Sequence, residues 1–113
     1  MIDKEKIEGA SAQFRTCAPF FIALGDPHRQ KLCLALAEAG EEGINVADLT
    51  GKSILSRPAV SHHLKVLKDC GLVEPLKKGT QIFYRLRLKP CFESFKQLMQ
   101  SIEEIIEEVG EEA

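Results

Sequence analysis

Apolar residues form helical seams at both ends of this chain and a mixed pattern in its middle. From Asp3 to Leu24 they recur at Ile7, Ala10, Phe14, Cys17 and Phe21. That spacing of 3, 4, 3, 4 draws one stripe along a helix. Pro19 lies inside the run and predicts a kink or a division there. Asp26 before Pro27 predicts an N-cap and first turn, with Leu32, Leu36 and Ala39 facing inward and Gly40 as the stop. Asn45, with Asp48 three residues on, predicts the cap of a short helix that turns Val46 and Leu49 inward. A last seam follows Pro90 through Phe92, Phe95, Met99, Ile102, Ile106 and Val109, widened by Leu98 and Ile105. Glu103, Glu104, Glu107 and Glu108 fill its other side.

The stretch Ser56 to Leu86 changes period part-way. Ser56 predicts an N-cap, Pro58 suits the first turn, and Val60, Leu64 and Leu67 make one apolar stripe. At 100° per residue Pro58, Ser61, His62 and Lys65 point the other way. Cys70-Gly71 ends the helix, with Cys70 expected as a small buried hydrophobe. Two strands follow: one from Leu72 through Pro75, the other from Ile82 to Leu86. Lys77, Lys78, Gly79 and Thr80 form the turn between them. A helix with an apolar back and a small, polar or basic free face, followed by a basic hairpin, is the order a winged helix-turn-helix needs to read DNA.

Charge strengthens that picture once it is divided along the chain. The net charge is −2. Between Lys52 and Lys89 nine Lys or Arg stand against Asp69 and Glu74, a local +7, so the rest carries −9. The basic block coincides with the helix and hairpin, and local field matters more to DNA binding than the total. At 113 residues the chain predicts one small domain whose core is marginal alone, which favours a homodimer. No uninterrupted apolar run of about 18 residues predicts a membrane span. The charged opening Asp3-Lys4-Glu5-Lys6 is not a signal peptide. Four cysteines without a CxxC pair suggest a reduced, cytoplasmic setting.

Several motifs in combination resemble the ArsR/SmtB family of bacterial transcriptional repressors. They are Gly25-Asp26-Pro27 with Arg29, the run Ala59 to Leu67, Gly71-Leu72-Val73, and Phe83-Tyr84-Arg85-Leu86. The resemblance covers Leu24 to Leu86 and implies a dimeric winged-helix protein that releases its operator when a metal or other signal arrives. One family metal site uses a Cys-x-Cys pair at positions that here hold Asn45 and Ala47. Another uses Asp and His on the last helix, which here has no histidine. Neither metal site is carried over, and no cofactor is expected.

Of the thiols, Cys91 stands at a helix start beside Lys89 and is the best candidate for a reactive one. Cys17 on the first seam could approach it, so Cys17 and Cys91 are the possible redox pair. His62 and His63 diverge by 100° and cannot chelate one ion from a regular helix. His62 is expected at DNA and His63 packed near the core. No phosphate loop, nucleophile elbow or HExxH motif suggests an enzyme.

The expected architecture is mainly α with a small β-hairpin, a winged helix-turn-helix spanning 1–113. Within it, 1–24 and 90–109 are dimerisation helices, 26–71 is the helical core and 72–88 is the wing. The expected partners are double-stranded DNA with an inverted-repeat operator and a second copy of the chain, with no membrane and no inducer named by any residue. Arg57, Ser61, His62 and Lys65 would enter the major groove, while Lys77, Lys78 and Arg85 hold the wing to DNA. The alternatives are a thiol-based redox or sulfur-responsive repressor of the same fold, and a winged-helix protein–protein adaptor without DNA binding.

Overall fold

The computed structural model describes residues 2–111 and contains five α-helices and a three-stranded antiparallel sheet. The order is α1 (Lys4–Leu24), α2 (Pro27–Ala39), a 3-10 turn (Gly40–Glu42), β1 (Ile44–Asn45), α3 (Val46–Gly51), α4 (Arg57–Asp69), β2 (Val73–Lys78), β3 (Gln81–Leu86) and α5 (Lys89–Val109). Two compact units result. One comprises residues 1–19 with 89–113, and the other runs from Phe20 to Leu88.

In the central unit the capping residues act as their chemistry predicts. Asp26 accepts from the N–H groups of His28 and Arg29 at 2.8 and 3.1 Å. These bonds, that from Arg29 foremost, hold its carboxyl below the usual carboxylate range. Asn45 accepts from Asp48 N–H and Ser56 from Ala59 N–H, each satisfying an orphan donor of the first turn. Val60, Leu64 and Leu67 of α4 are buried with Leu32, Leu36 and Leu49. Each such side chain stabilises the fold by about 1.5–3 kcal/mol relative to exposure. Gly71 closes α4 at φ +84°, and its N–H bonds the Lys68 carbonyl. Cys70 is only half-buried, not buried as expected, because it caps the helix; its Sγ lies 3.4 Å from the Leu67 carbonyl oxygen.

The hairpin is joined by a strand that the periodicity does not announce. β1 pairs with β3, setting Ile44 opposite Tyr84 and Asn45 opposite Phe83, and gives the sheet order β1-β3-β2. Two residues are too few for an alternation to show. The signal lies one residue earlier. Gly43 sits at φ +74°, and a Cβ there would come within 2.6 Å of the Tyr84 carbonyl oxygen, so only glycine permits this approach.

In the terminal unit α1 and α5 run antiparallel. Lys6 Nζ binds Glu108 Oε1 at 2.6 Å near one end, and Cys17 Sγ lies 3.4 Å from the Ser94 carbonyl oxygen toward the other. Pro19 does not divide α1, which is continuous through it, although the boundary between the two units falls there. The expected seams are each split lengthwise. On α1, Ala10 and Cys17 are buried while Ile7 and Phe14 are exposed. On α5, Cys91 and Leu98 are buried while Phe92, Met99, Ile106 and Val109 are exposed. A 3-4 seam is wide enough to present one edge to the neighbouring helix of its own chain and the other outward. Leu98 is therefore the centre of the inner edge and not the flank that spacing suggests.

Candidate nucleic-acid interface

α4 stands with its back in the core and its front in solvent. Arg57, Pro58, Ser61, His62 and Lys65 are all exposed, one helical face of small, polar and basic groups. Arg57 makes no ion pair or side-chain hydrogen bond among the described residues. Lys65 pairs with Asp69 one turn on at 2.9 Å, but both ends are exposed and such a pair is worth little. His63 is half-buried on the flank. Its Nδ1 lies 3.2 Å from Arg29 Nη1, whose guanidinium also donates to the Ala23 and Ile22 carbonyls at the end of α1. Burial foremost pushes the His63 imidazole below its ordinary pKa, with Asp26 opposing and Arg29 assisting. A neutral His63 is the form that can accept from Arg29, so α4 is tethered to α2 through this contact.

The hairpin handles its cations differently. Antiparallel partners share a sheet face, which sets Lys77 with Ile82 and Lys78 with Gln81 on opposite faces. Lys77 is exposed without an ion pair among the described residues. Lys78 is held by Glu42, at 2.7 Å from its carbonyl oxygen and 2.9 Å from Oε2, with Nζ 4.7 Å from the centre of the Phe83 ring. That bond draws the Glu42 carboxyl down from its ordinary pKa.

Arg85, expected to hold the wing to DNA, is engaged within its own chain. Its Nε donates to Glu74 at 3.0 Å and its Nη1 to Glu41 at 3.0 Å, and Arg87 completes the cluster with the same two acids at 2.7 and 3.4 Å. The two arginine bonds hold Glu74 below its ordinary pKa. Glu41 and Glu42 lie outside the basic block, and only the pairing of β1 with β3 brings the turn before β1 to the hairpin. An acidic pair after a helix stop, facing an arginine-rich strand, is the signal that could have found them.

Both thiols of the expected redox pair lie inside the protein. Cys17 is fully buried, and burial pushes its thiol pKa up, away from the reactive thiolate. Cys91 is buried too, although it belongs to the first turn of α5. Among the described residues no three His, Cys, Asp or Glu side chains group as a metal site, and no helix is long and apolar enough to cross a membrane.

A helix-turn-helix with an exposed polar face, followed by a hairpin, defines a winged-helix DNA-binding protein. Comparisons agree. Residues 26–75 match the model of the arsR family of bacterial regulatory proteins. The chain is 36% identical over 72 residues to an uncharacterized HTH-type transcriptional regulator of Methanocaldococcus jannaschii, covering 64% of this chain and 79% of that one. It is 30% identical over 82 residues to the transcriptional repressor SdpR of Bacillus subtilis, covering 73% and 88%. Among solved structures it resembles an ArsR-like transcriptional regulator from Rhodococcus, with TM-score 0.65 and 28% identity over 88% of this chain and 87% of that one. The repressor BigR from Xylella fastidiosa gives TM-score 0.57 and 27% identity over 84% and 92%. The chain belongs to the arsR family, and it is a DNA-binding transcriptional regulator of the repressor type.

Proposed function

We propose that this chain is a homodimeric cytoplasmic repressor that reads an inverted-repeat operator with α4 and the tip of the β2–β3 hairpin. The division of α4 into a buried back of Val60, Leu64 and Leu67 and an exposed front of Arg57, Ser61, His62 and Lys65 carries the reading. On it, Ser61 and His62 meet base edges, Arg57 and Lys65 approach phosphates at the groove edge, and Lys77 anchors the wing. Lys78 and Arg85 serve the hairpin's own structure first. Support for the dimer comes from Ile7 and Phe14 on α1 and Phe92, Met99 and Ile106 on α5, exposed apolar residues recurring every seventh position on two paired helices. A second copy would cover such a stripe and present a second α4 to the other half-site. A releasing signal would act by favouring a dimer geometry in which the two helices no longer match the two half-sites.

The test is a binding titration with duplex from the chain's own upstream region, at several salt concentrations, alongside sedimentation of wild type and Met99→Glu. Wild type should sediment as a dimer, with log K falling by about 0.9 per phosphate neutralised for each unit of log salt. Met99→Glu should dissociate and lose most operator affinity. A monomeric wild type that binds its operator tightly would overturn the dimer, and salt-independent binding would overturn the phosphate contacts.

A further inference from the structure

Where the starts of α3 and α4 approach the hairpin turn lies an open cleft of about 360 Å³, lined in part by Asn45, Arg57, Thr80, Gln81 and Tyr84. The direction of its hydrogen bonding is set by a helix cap. Asn45 Oδ1 is committed to α3, accepting from Asp48 N–H at 2.8 Å. Its Nδ2 therefore donates, and the acceptor is Gln81 Oε1 at 3.2 Å. With its oxygen used, Gln81 is left with an Nε2 amide that has no partner among the described residues. The Tyr84 and Thr80 hydroxyls and the Arg57 guanidinium are likewise without partners there. No carboxylate lines the cleft. Arg57, Gln81 with its amide committed to donating, and the hydroxyl-bearing Thr80 and Tyr84 line a cleft whose lining holds no acid, and theirs is the donor chemistry that suits an oxyanion.

We propose that this cleft seats one phosphodiester of the bound DNA, held by Arg57, Gln81 and Tyr84. This rests on the DNA-binding reading above and adds Gln81 and Tyr84 to the residues that touch DNA. The ligand chemistry is that of phosphate, and the source is the DNA backbone. Arg57 opens the groove-facing helix while Gln81 and Tyr84 belong to the wing strand, so a phosphate held by all three locks the two elements to one point of the duplex. Such a contact sets register and carries no sequence information. Asn45, which caps α3, thus also orients the Gln81 amide.

The test uses two nearly isosteric variants, Tyr84→Phe and Gln81→Glu, with melting temperature as the control for folding. Gln81→Glu keeps the oxygen that accepts from Asn45 and sets a negative charge in the cleft. Both variants should melt as wild type does. Tyr84→Phe should bind operator and unrelated duplex alike about three- to tenfold more weakly, the worth of one hydrogen bond. Gln81→Glu should lose more and lower the salt slope by about one phosphate. In parallel, pyrophosphate is titrated into the DNA-free protein while the Gln81 side-chain amide is followed by NMR. Unchanged DNA binding by both variants, while wild type binds duplex, would overturn the seat and leave the DNA reading intact. If pyrophosphate nevertheless shifted the Gln81 amide, the phosphate source would be a free anion and the assignment to DNA would be wrong. A wild type that binds no duplex at any salt would remove the underlying reading itself.

Discussion

α4 and the β2–β3 hairpin are both basic in sequence, yet they keep their cations in opposite states. On α4 Arg57 and Lys68 have no ion pair among the described residues, and Lys65 has only an exposed partner on its own helix. On the hairpin and just beyond it, Lys78, Arg85 and Arg87 are all held by Glu41, Glu42 or Glu74. Two of those acids come from the turn before β1, 36 to 46 residues away along the chain. A local +7 counted along the sequence therefore overstates the field that DNA would meet, because the sheet brings Glu41 and Glu42 into the block. What remains open is narrower: the front of α4 and Lys77 at the hairpin tip.

The largest expected effect tests whether α4 is a platform held from behind while the hairpin tip is not. Leu64 is 2% exposed and Ile82 is 49% exposed. Leu64→Ala should cost about 2–5 kcal/mol of stability by urea unfolding, through lost transfer energy and a residual cavity. Ile82→Ala should cost under about 1 kcal/mol. Similar losses at both sites would end the contrast.

Next in size is the division between reading and anchoring. Ser61→Ala and His62→Ala should each weaken the operator complex by about 1–3 kcal/mol for every base-edge hydrogen bond removed, with unrelated duplex bound nearly as before. If both variants weakened all sequences equally, α4 would be a phosphate-binding element and the reading element would lie elsewhere.

A smaller effect separates the two lysines at the tip. Lys77→Ala should weaken binding to every duplex and reduce the salt slope by about 0.9, the signature of one phosphate. Lys78→Ala should do less, because Glu42 already holds that ammonium. Glu42→Gln should then raise DNA affinity only slightly, because an exposed ion pair is worth little. If Lys77→Ala and Lys78→Ala proved equal, the ion pair would not survive on DNA.

The sequence carried α4 almost whole, because a cap, a stripe and a glycine stop are local and each has its own chemistry. Ser56, the Val60-Leu64-Leu67 stripe and Gly71 all stand where their residue types require. The sheet was legible only as a hairpin, since β1 is two residues long and exists through its pairing with β3. The state of Arg85 was hidden for the same reason: its acidic partner Glu41 arrives through that pairing. The terminal seams were visible as stripes, but periodicity cannot say which edge of a stripe meets its own chain. Packing decides that, and it buried Cys17, Cys91 and Leu98 while leaving Phe14 and Met99 outside. Packing likewise buries Cys91 although it stands at a helix start, which periodicity alone could not say.

The smallest expected effect concerns pH, and it divides the two regions by the groups that fasten them. α4 is tethered through His63, whose pKa is depressed by burial first, with Arg29, His62 and His28 opposing its charge and Asp26 favouring it. A folded-state pKa below the unfolded value of about 6.5 means that the unfolded chain binds the proton more readily. Stability from this group is therefore lost as pH falls below about 6.5 and levels off once the folded form also titrates. The hairpin is fastened by Glu42 and Glu74, whose pKa values are depressed by bonds from Lys78 and from Arg85 and Arg87. Their contribution is intact above the unfolded carboxylate range and is lost only as pH falls through their lower folded values. Between about pH 7 and 5.5 the protein should thus lose stability through α4 alone. Urea unfolding of wild type and His63→Asn at those two values checks it. Wild type should weaken on acidification while His63→Asn, lower at neutral pH, stays nearly level. Parallel losses in the two proteins would mean that some other group loosens the fold and that His63 does not fasten α4.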